Sequence, residues 1–226
     1  MNVDLDDARA AFVAELDAFT AGAESLTERA LLAASRCTGW TVGDVIVHVH
    51  LGLQEMLLGL VAPTSAAADT DAGTYWRTTP PTNDDDADQV AGIRFIRLLG
   101  ASYRRPTGAV RHLLPTVAGV RAAALKLEPG AVRFQGRVLS SGDFLATGAV
   151  ELAVHHLDLG RELEVAAPAT AALHLARLTI EALAGAPAPA AWTDETTVLL
   201  GAGRVRPDAG QRAQAPALTS RLPLLR

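Results

Sequence analysis

Two histidines and a glutamate lie in stretches dominated by Ala, Val, Leu and Ile: His48 in residues 42–60, and Glu151 with His155 in residues 141–164. Ionisable groups among apolar neighbours must pair, change protonation state or bind a metal. Two imidazoles and one carboxylate are a common ligand set for a catalytic zinc, which keeps its remaining position free for water or substrate. Residues four and seven apart share one helix face. Glu151, His155 and Asp158 therefore form one stripe, and Asp44, His48 and Glu55 another. His50 and His156 are turned about 200° and about 100° from their neighbours, so neither shares the direction of the candidate ligands. The pattern asks for a divalent metal, zinc before others, held by His48, Glu151 and His155. Asp158 and Asp44 suit the acceptors that fix which imidazole nitrogen meets the ion.

Plainer readings compete. Asp44 is accounted for by a capping role alone, and His48 alone by a hydrogen-bonded core histidine. Glu151 with His155 is also the spacing of an ordinary helix-surface pair. What favours the metal is the combination, because burying all three without compensation costs several kcal/mol. The Glu-x-x-His pairs of a di-iron bundle, a nucleophile elbow, a phosphate loop and a dinucleotide fingerprint are all missing from the sequence. Two further alternatives are a bundle whose metal is structural or regulatory and a metal-free binding protein with a polar core layer. A closed structural site needs a fourth protein ligand, for which His50 and His156 point the wrong way.

The elements that must carry these groups read as long helices. Residues 3–19 place Leu5, Ala8, Phe12, Leu16 and Phe19 at helical steps behind an acidic start. Ser25 with Glu28 reads as a capping box before a short helix. Thr41 with Asp44 forms a second box, with Trp40 and Val45 as a staple, opening a helix over 42–60. Residues 64–88, rich in Ala, Thr, Asp and Pro, read as a disordered link or a lid, and Tyr75 and Trp76 suit either closure over a substrate or partial core packing. A helix over 89–127 carries a break or kink near Pro106 and another near Pro115. The alternation in 132–139 predicts an extended segment or hairpin. Ser140 with Asp143 is a third box, opening a helix over 141–164, and Pro168 precedes another over 169–183 that Gly185 ends. The remainder offers one strand at 196–200 and much irregular chain. Arg204, in a Gly-rich turn, reads either as a solvated surface residue or as a bidentate anchor for a substrate carboxylate.

The sum is a mainly α chain: an antiparallel four-helix bundle over residues 1–165, with residues 64–88 as a flexible loop or lid. Residues 166–226 form a C-terminal helix and a short, partly irregular extension. The chain has 226 residues, 49% of them hydrophobic and 4% aromatic, so the core is mainly aliphatic. A net charge of -5 argues against nucleic acid as partner. Cys37 is the one cysteine, which excludes an intrachain disulfide, and reads as a small buried hydrophobe. The start carries acids instead of a basic leader, and no apolar run is long enough to span a bilayer. The expectation is a cytoplasmic protein, monomer or homodimer, without a membrane partner.

Residues 37–48, Cys-Thr-Gly-Trp-Thr-Val-Gly-Asp-Val-Ile-Val-His, resemble the opening signature of the mycothiol-dependent maleylpyruvate isomerase family, a branch of the DinB-like bundles. Residues 151–159, Glu-Leu-Ala-Val-His-His-Leu-Asp-Leu, resemble its second signature, and Gly201-Ala202-Gly203-Arg204 with the Leu-Pro-Leu-Leu of 222–225 resembles its tail. The resemblance implies a DinB-like bundle with zinc or another divalent metal on His48, Glu151 and His155. It also implies mycothiol as thiol cosubstrate and a small electrophile as substrate. The metal would depress the thiol pKa, and the thiolate would add to an electrophilic carbon. Either the thiol leaves again, as in a maleylpyruvate isomerase, or the adduct is released, as in a mycothiol S-transferase. The tail is shorter than the C-terminal domain of such isomerases, so the resemblance places no substrate-binding groups there.

Overall fold

In the computed structural model, which describes residues 1–77 and 85–225, the sequence folds around four long helices. Helix α1 spans Leu5–Glu24, capped by Asp4, whose carboxylate accepts from Asp6 N and Asp7 N. Ser25 ends α1 instead of opening the next helix. Its hydroxyl bonds Gly22 O, and Thr27 caps the single turn α2, Glu28–Leu31. The expected Ser25–Glu28 box is therefore absent: α1 runs on to Glu24, and the Glu28 carboxylate accepts from the Thr107 hydroxyl.

Helix α3, Val42–Leu60, opens on the Thr41–Asp44 capping box, with both reciprocal bonds present. The strand pair β1, Pro63–Thr64, and a 3₁₀ turn at Thr74–Trp76 follow. Residues 64–77 of the stretch expected as a disordered link or a lid are held against the hairpin. Pro63–Thr64 pairs with the later hairpin, and Asp69 N and Thr70 N both donate to Val138 O. Residues 78–84 of that stretch lie outside the described residues, and 85–88 belong to α4, Asp85–Ser102.

Pro106 does separate α4 from α5, Thr107–Lys126, but Pro115 produces no break, and α5 continues through it. Strands β2, Ala131–Phe134, and β3, Arg137–Ser140, form the expected hairpin. Its tip, Gln135 and Gly136, has φ of 48° and 74°, the two positive values that a two-residue primed turn requires.

Helix α6, Ser141–Leu159, is capped by the Ser140 hydroxyl, which accepts from Asp143 N. Asp143 also accepts from Val3 N across the bundle, joining the starts of α6 and α1. The helix ends at Gly160, earlier than periodicity suggests, and the end is clamped by the loop before α3: Arg36 donates to the carbonyls of Leu157 and Gly160. Helix α7, Thr170–Ala184, ends at Gly185 in the left-handed region, φ 64°.

The C-terminal chain is more regular than its composition suggests. It forms α8, Asp194–Gly201, α9, Ala209–Gln214, and α10, Pro216–Thr219. Residues 196–200, expected as a strand, are helical. Thr193 caps them, and Asp194 and Glu195 sit where the helix dipole favours acids.

Helices α1, α5, α3 and α6 pack in a ring, each against the next, as a four-helix bundle. Phe12, Leu16, Phe19, Ile46, Leu53, Leu113, Phe144 and Leu145 are among its fully buried side chains. Helix α7 covers α6 and α1, and α8 packs on α7 and α6 through Val150, Val154, Ile180 and Val198. Helix α3 therefore lies beside α6, and close approach is built in at Gly148. A Cβ there would stand 2.4 Å from Met56 Cε and 2.9 Å from Phe12 Cε2.

Candidate metal centre

The face of α3 that carries His48 meets the face of α6 that carries Glu151 and His155. Glu151 Oε1 is 3.4 Å from His48 Nε2 and 3.1 Å from His155 Nε2. The two imidazoles stand edge to face with centroids 4.6 Å apart, and the Trp40 ring backs His48 at 5.0 Å. One atom from each of the three residues falls within 4.8 Å of the others. Ligands bound at ~2.1 Å around a tetrahedral ion stand ~3.4 Å from one another, so the spacing fits a single divalent cation.

Behind this trio lies a second layer of bonds. His155 Nδ1 is 3.0 Å from Asp158 Oδ2, so a proton on Nδ1 leaves Nε2 free as a donor of electrons to a metal. Asp158, wholly buried, also receives Arg204 through Nε at 2.7 Å and Nη2 at 3.0 Å, and the Cys37 thiol at 3.0 Å. Cys37, His155 and Asp158 form another group of ligand-type atoms within 4.8 Å. It suits a cation poorly, because the Arg204 guanidinium already lies against Asp158 and stands 3.4 Å from the Cys37 sulfur.

The electrostatics follow the bonding. Burial pushes the Glu151 carboxyl up, but the charges and hydrogen bonds of His155 and His48 outweigh it and hold it well below the usual carboxylate range. Burial pulls the His155 imidazolium down, yet Glu151, Asp158 and Cys37 together raise its pKa well above the ordinary value. Asp158 is likewise pushed up by burial and brought far down by His155 and Arg204. Burial raises the Cys37 thiol, so it stays protonated and donates to Asp158. Without an ion, a protonated His155 supplies the positive charge that the surrounding carboxylates require.

Access comes from one side. The His155 side chain is 8% exposed, whereas His48 and Glu151 are 33% and 43% exposed, facing a cavity of about 460 Å³. Its walls include Met56, Thr147 and Leu152 from α3 and α6, and Tyr75, Trp76, Gln135 and Arg137 from the 3₁₀ turn and the hairpin. Tyr75 donates to Gln135 Oε1 at 2.6 Å, and Gln135 Nε2 donates to Glu55 at 2.9 Å. Burial first, then Glu151 and Glu55, push the Tyr75 phenol up to about 12, so it remains a donor at neutral pH.

Other sequence candidates sit elsewhere. Asp44, expected behind His48, has its carboxylate taken by the Thr41 N–H and hydroxyl, because the third residue of a helix points back to its cap. Arg204 is neither solvated nor facing the cavity; its guanidinium is spent on Asp158 and on Ala202 O. His50 bonds Thr116, and His156 bonds Glu15, so both point away from the trio as the helical angles require. Sequence reasoning missed Cys37 as a partner of Asp158 and missed Arg137 and Gln135. The only signal for the latter pair was the hairpin itself, which gives no hint of which cavity its tip overhangs.

A mainly helical DinB-like bundle with a polar trio between two of its helices is the class that fold and site define. The sequence of residues 12–160 matches the family model described as the mycothiol maleylpyruvate isomerase N-terminal domain, and the chain belongs to that family. Among solved structures it is similar to a crystal structure of the mycothiol-dependent maleylpyruvate isomerase. The TM-score is 0.52 and the identity 15%, over 79% of this chain and 70% of that one. A histidine-to-alanine variant of that isomerase gives 0.49 and 15% over the same shares. No curated protein sequence matches this chain.

Proposed function

We propose that this chain is a divalent-metal-dependent enzyme in which the thiolate of mycothiol attacks a small electrophile, as a maleylpyruvate isomerase or as a mycothiol S-transferase. The observation that carries this reading is the convergence of His48 Nε2 and His155 Nε2 on one oxygen of Glu151 beside an accessible cavity that His48 and Glu151 line. Family membership supports the thiol. In this reading residues 1–165 are the catalytic bundle, and residues 166–226 are an extension that supplies Arg204.

His48, Glu151 and His155 are the residues that would hold the ion, with zinc the best match to two imidazoles and a carboxylate. A divalent cation there supplies Lewis acidity that favours the thiolate over the thiol at neutral pH. Asp158 holds the Nδ1 proton of His155, and Arg204 with Cys37 holds Asp158, so the imidazole keeps one orientation. The Trp40 ring packs against the His48 ring with centroids 5.0 Å apart. Met56, Leu152 and Phe134 line the cavity and limit water around the reacting atoms.

The sulfur electron pair forms an S–C bond to the alkene carbon, and the former π pair moves onto the conjugated carbonyl. The C–C bond is then single and can rotate. Return of that pair expels the thiolate and leaves the trans alkene, with no net oxidation and no proton consumed. When a proton instead quenches the carbanion, the thioether is the product. The two outcomes share every residue above.

The test is turnover with mycothiol plus maleylpyruvate and, separately, mycothiol plus a panel of electrophiles, with His48→Ala as control. Isomerisation or thiol consumption that His48→Ala abolishes supports the reading. Failure of metal-loaded protein in every assay removes it.

A further inference from the structure

We infer that Arg137 is the anion-binding residue of the cavity, and that the electrophile taken there carries a carboxylate which this guanidinium holds in the space that His48 and Glu151 also line. The inference rests on the proposed function and names the class of its substrate.

Arg137 is the one arginine, and no lysine accompanies it, among the described residues that line the cavity. Its position is set by the hairpin: it follows the two-residue turn at Gln135–Gly136, so β3 begins at the cavity wall. One guanidinium nitrogen, Nη1, donates to the backbone carbonyl of Tyr75, and the Tyr75 ring lies under the guanidinium at 5.2 Å from Cζ. These two contacts orient the group without neutralising it. Among the described residues no carboxylate pairs with Arg137, although Glu55 and Glu151 line the same cavity. Glu55 is engaged by Gln135, and Glu151 by the two histidines.

A partly buried guanidinium whose Nε and Nη2 are unclaimed by any described residue presents the planar fork that binds carboxylates bidentately. The contrast with Arg204 sharpens the assignment. Both arginines are oriented by neighbours, but Arg204 has Asp158 as counter-ion and Arg137 has none among the described residues. A volume of about 460 Å³ suits a small acid together with the thiol end of a cosubstrate, within the ~300–1,000 Å³ usual for small-molecule sites.

The test uses the full chain in two arms. In the first, chelator-treated protein is titrated with maleate, followed by tryptophan fluorescence, since Trp76 lines the cavity. Saturable binding is expected, weakened ~10–100-fold in Arg137→Gln, with Arg137→Lys falling between because it keeps the charge and loses the fork. Thermal melts check that both variants fold; should Arg137→Gln not fold, the lysine variant against wild type decides. In the second arm, metal-loaded protein with mycothiol is given maleylpyruvate and an uncharged maleimide. The KM penalty of Arg137→Gln is expected to be about tenfold larger for the acid than for the maleimide.

Equal maleate affinity in wild type and variants, no maleate binding at all, or equal KM penalties for the two electrophiles would overturn the assignment. If neither electrophile is turned over by wild type, the enzyme reading fails, and the first arm still decides whether Arg137 binds an anion.

Discussion

Arg204 Nε donates to Asp158 Oδ1 at 2.7 Å, and the other oxygen of that carboxylate faces His155 Nδ1 at 3.0 Å. A residue near the end of the chain thereby sets the tautomer of an imidazole inside the bundle. Removing such an outer partner typically lowers metal affinity 10–100-fold. Arg204→Met is expected to weaken zinc binding by about 10–100-fold in competition with a chromophoric chelator, without loss of the folded state. Unchanged affinity would show that Asp158 holds His155 unaided.

Loss of a candidate ligand should act more severely than loss of its support. His48→Ala and Glu151→Gln are each expected to fall from one bound metal per chain to well under half after dialysis, measured by elemental analysis. Glu151→Gln leaves size and most packing intact, so full metal occupancy in that variant would place the ion elsewhere.

The pH dependence of the metal-free chain follows from the same groups. Glu151 and Asp158 titrate below their ordinary values of 4.5 and 3.8, so their stabilisation is complete above those values and fades as pH falls through the lowered ones. His155 titrates above its ordinary 6.5, so its contribution is complete below 6.5 and fades as pH rises through the higher value. Thermal melts in chelator should therefore peak between pH 4.5 and 6.5. Added zinc competes with protons for His48 and His155, so its stabilising increment should grow from pH 5 to pH 8. A zinc increment independent of pH would contradict histidine ligation.

Glu15 and His156 are both fully buried, 2.8 Å apart, and the second Glu15 oxygen accepts Ala169 N just ahead of α7. Removing one partner of a buried pair costs ~3–5 kcal/mol. Glu15→Ala is expected to destabilise the fold by about that amount in urea, and to free the start of α7 for amide exchange. A change below ~1 kcal/mol would mean that the pair contributes little to joining α7 to α1 and α6.

At Gly148 a side chain would meet the end of Met56 from α3 and the buried Phe12 ring from α1. Gly148→Val should destabilise by ~1–3 kcal/mol through overpacking. Because Glu151 is less than one turn further on, zinc affinity should also fall. Unchanged affinity would show that the helices separate without moving the trio.

The helices and the direction of the candidate ligands were legible in the residues. Thr41 with Asp44 marks the start of α3, and the steps from Glu151 to His155 and Asp158 put three groups on one face of α6. Helical periodicity and capping are local rules, so a single segment is enough to apply them. Ser25 misled because a hydroxyl suits the end of one helix as well as the start of the next. Residues 196–200 misled because a short β-branched run carries no period of its own, and capping by Thr193 decided it.

What the tertiary structure alone decided is partnership. Cys37 and Asp158 are separated by 121 positions and Arg204 and Asp158 by 46, and no local pattern encodes either contact. Nor does the sequence say which arginine faces the cavity. Arg204 turns inward to a buried carboxylate and Arg137 meets none among the described residues, because helix packing and the hairpin turn, not residue type, determine which charges meet.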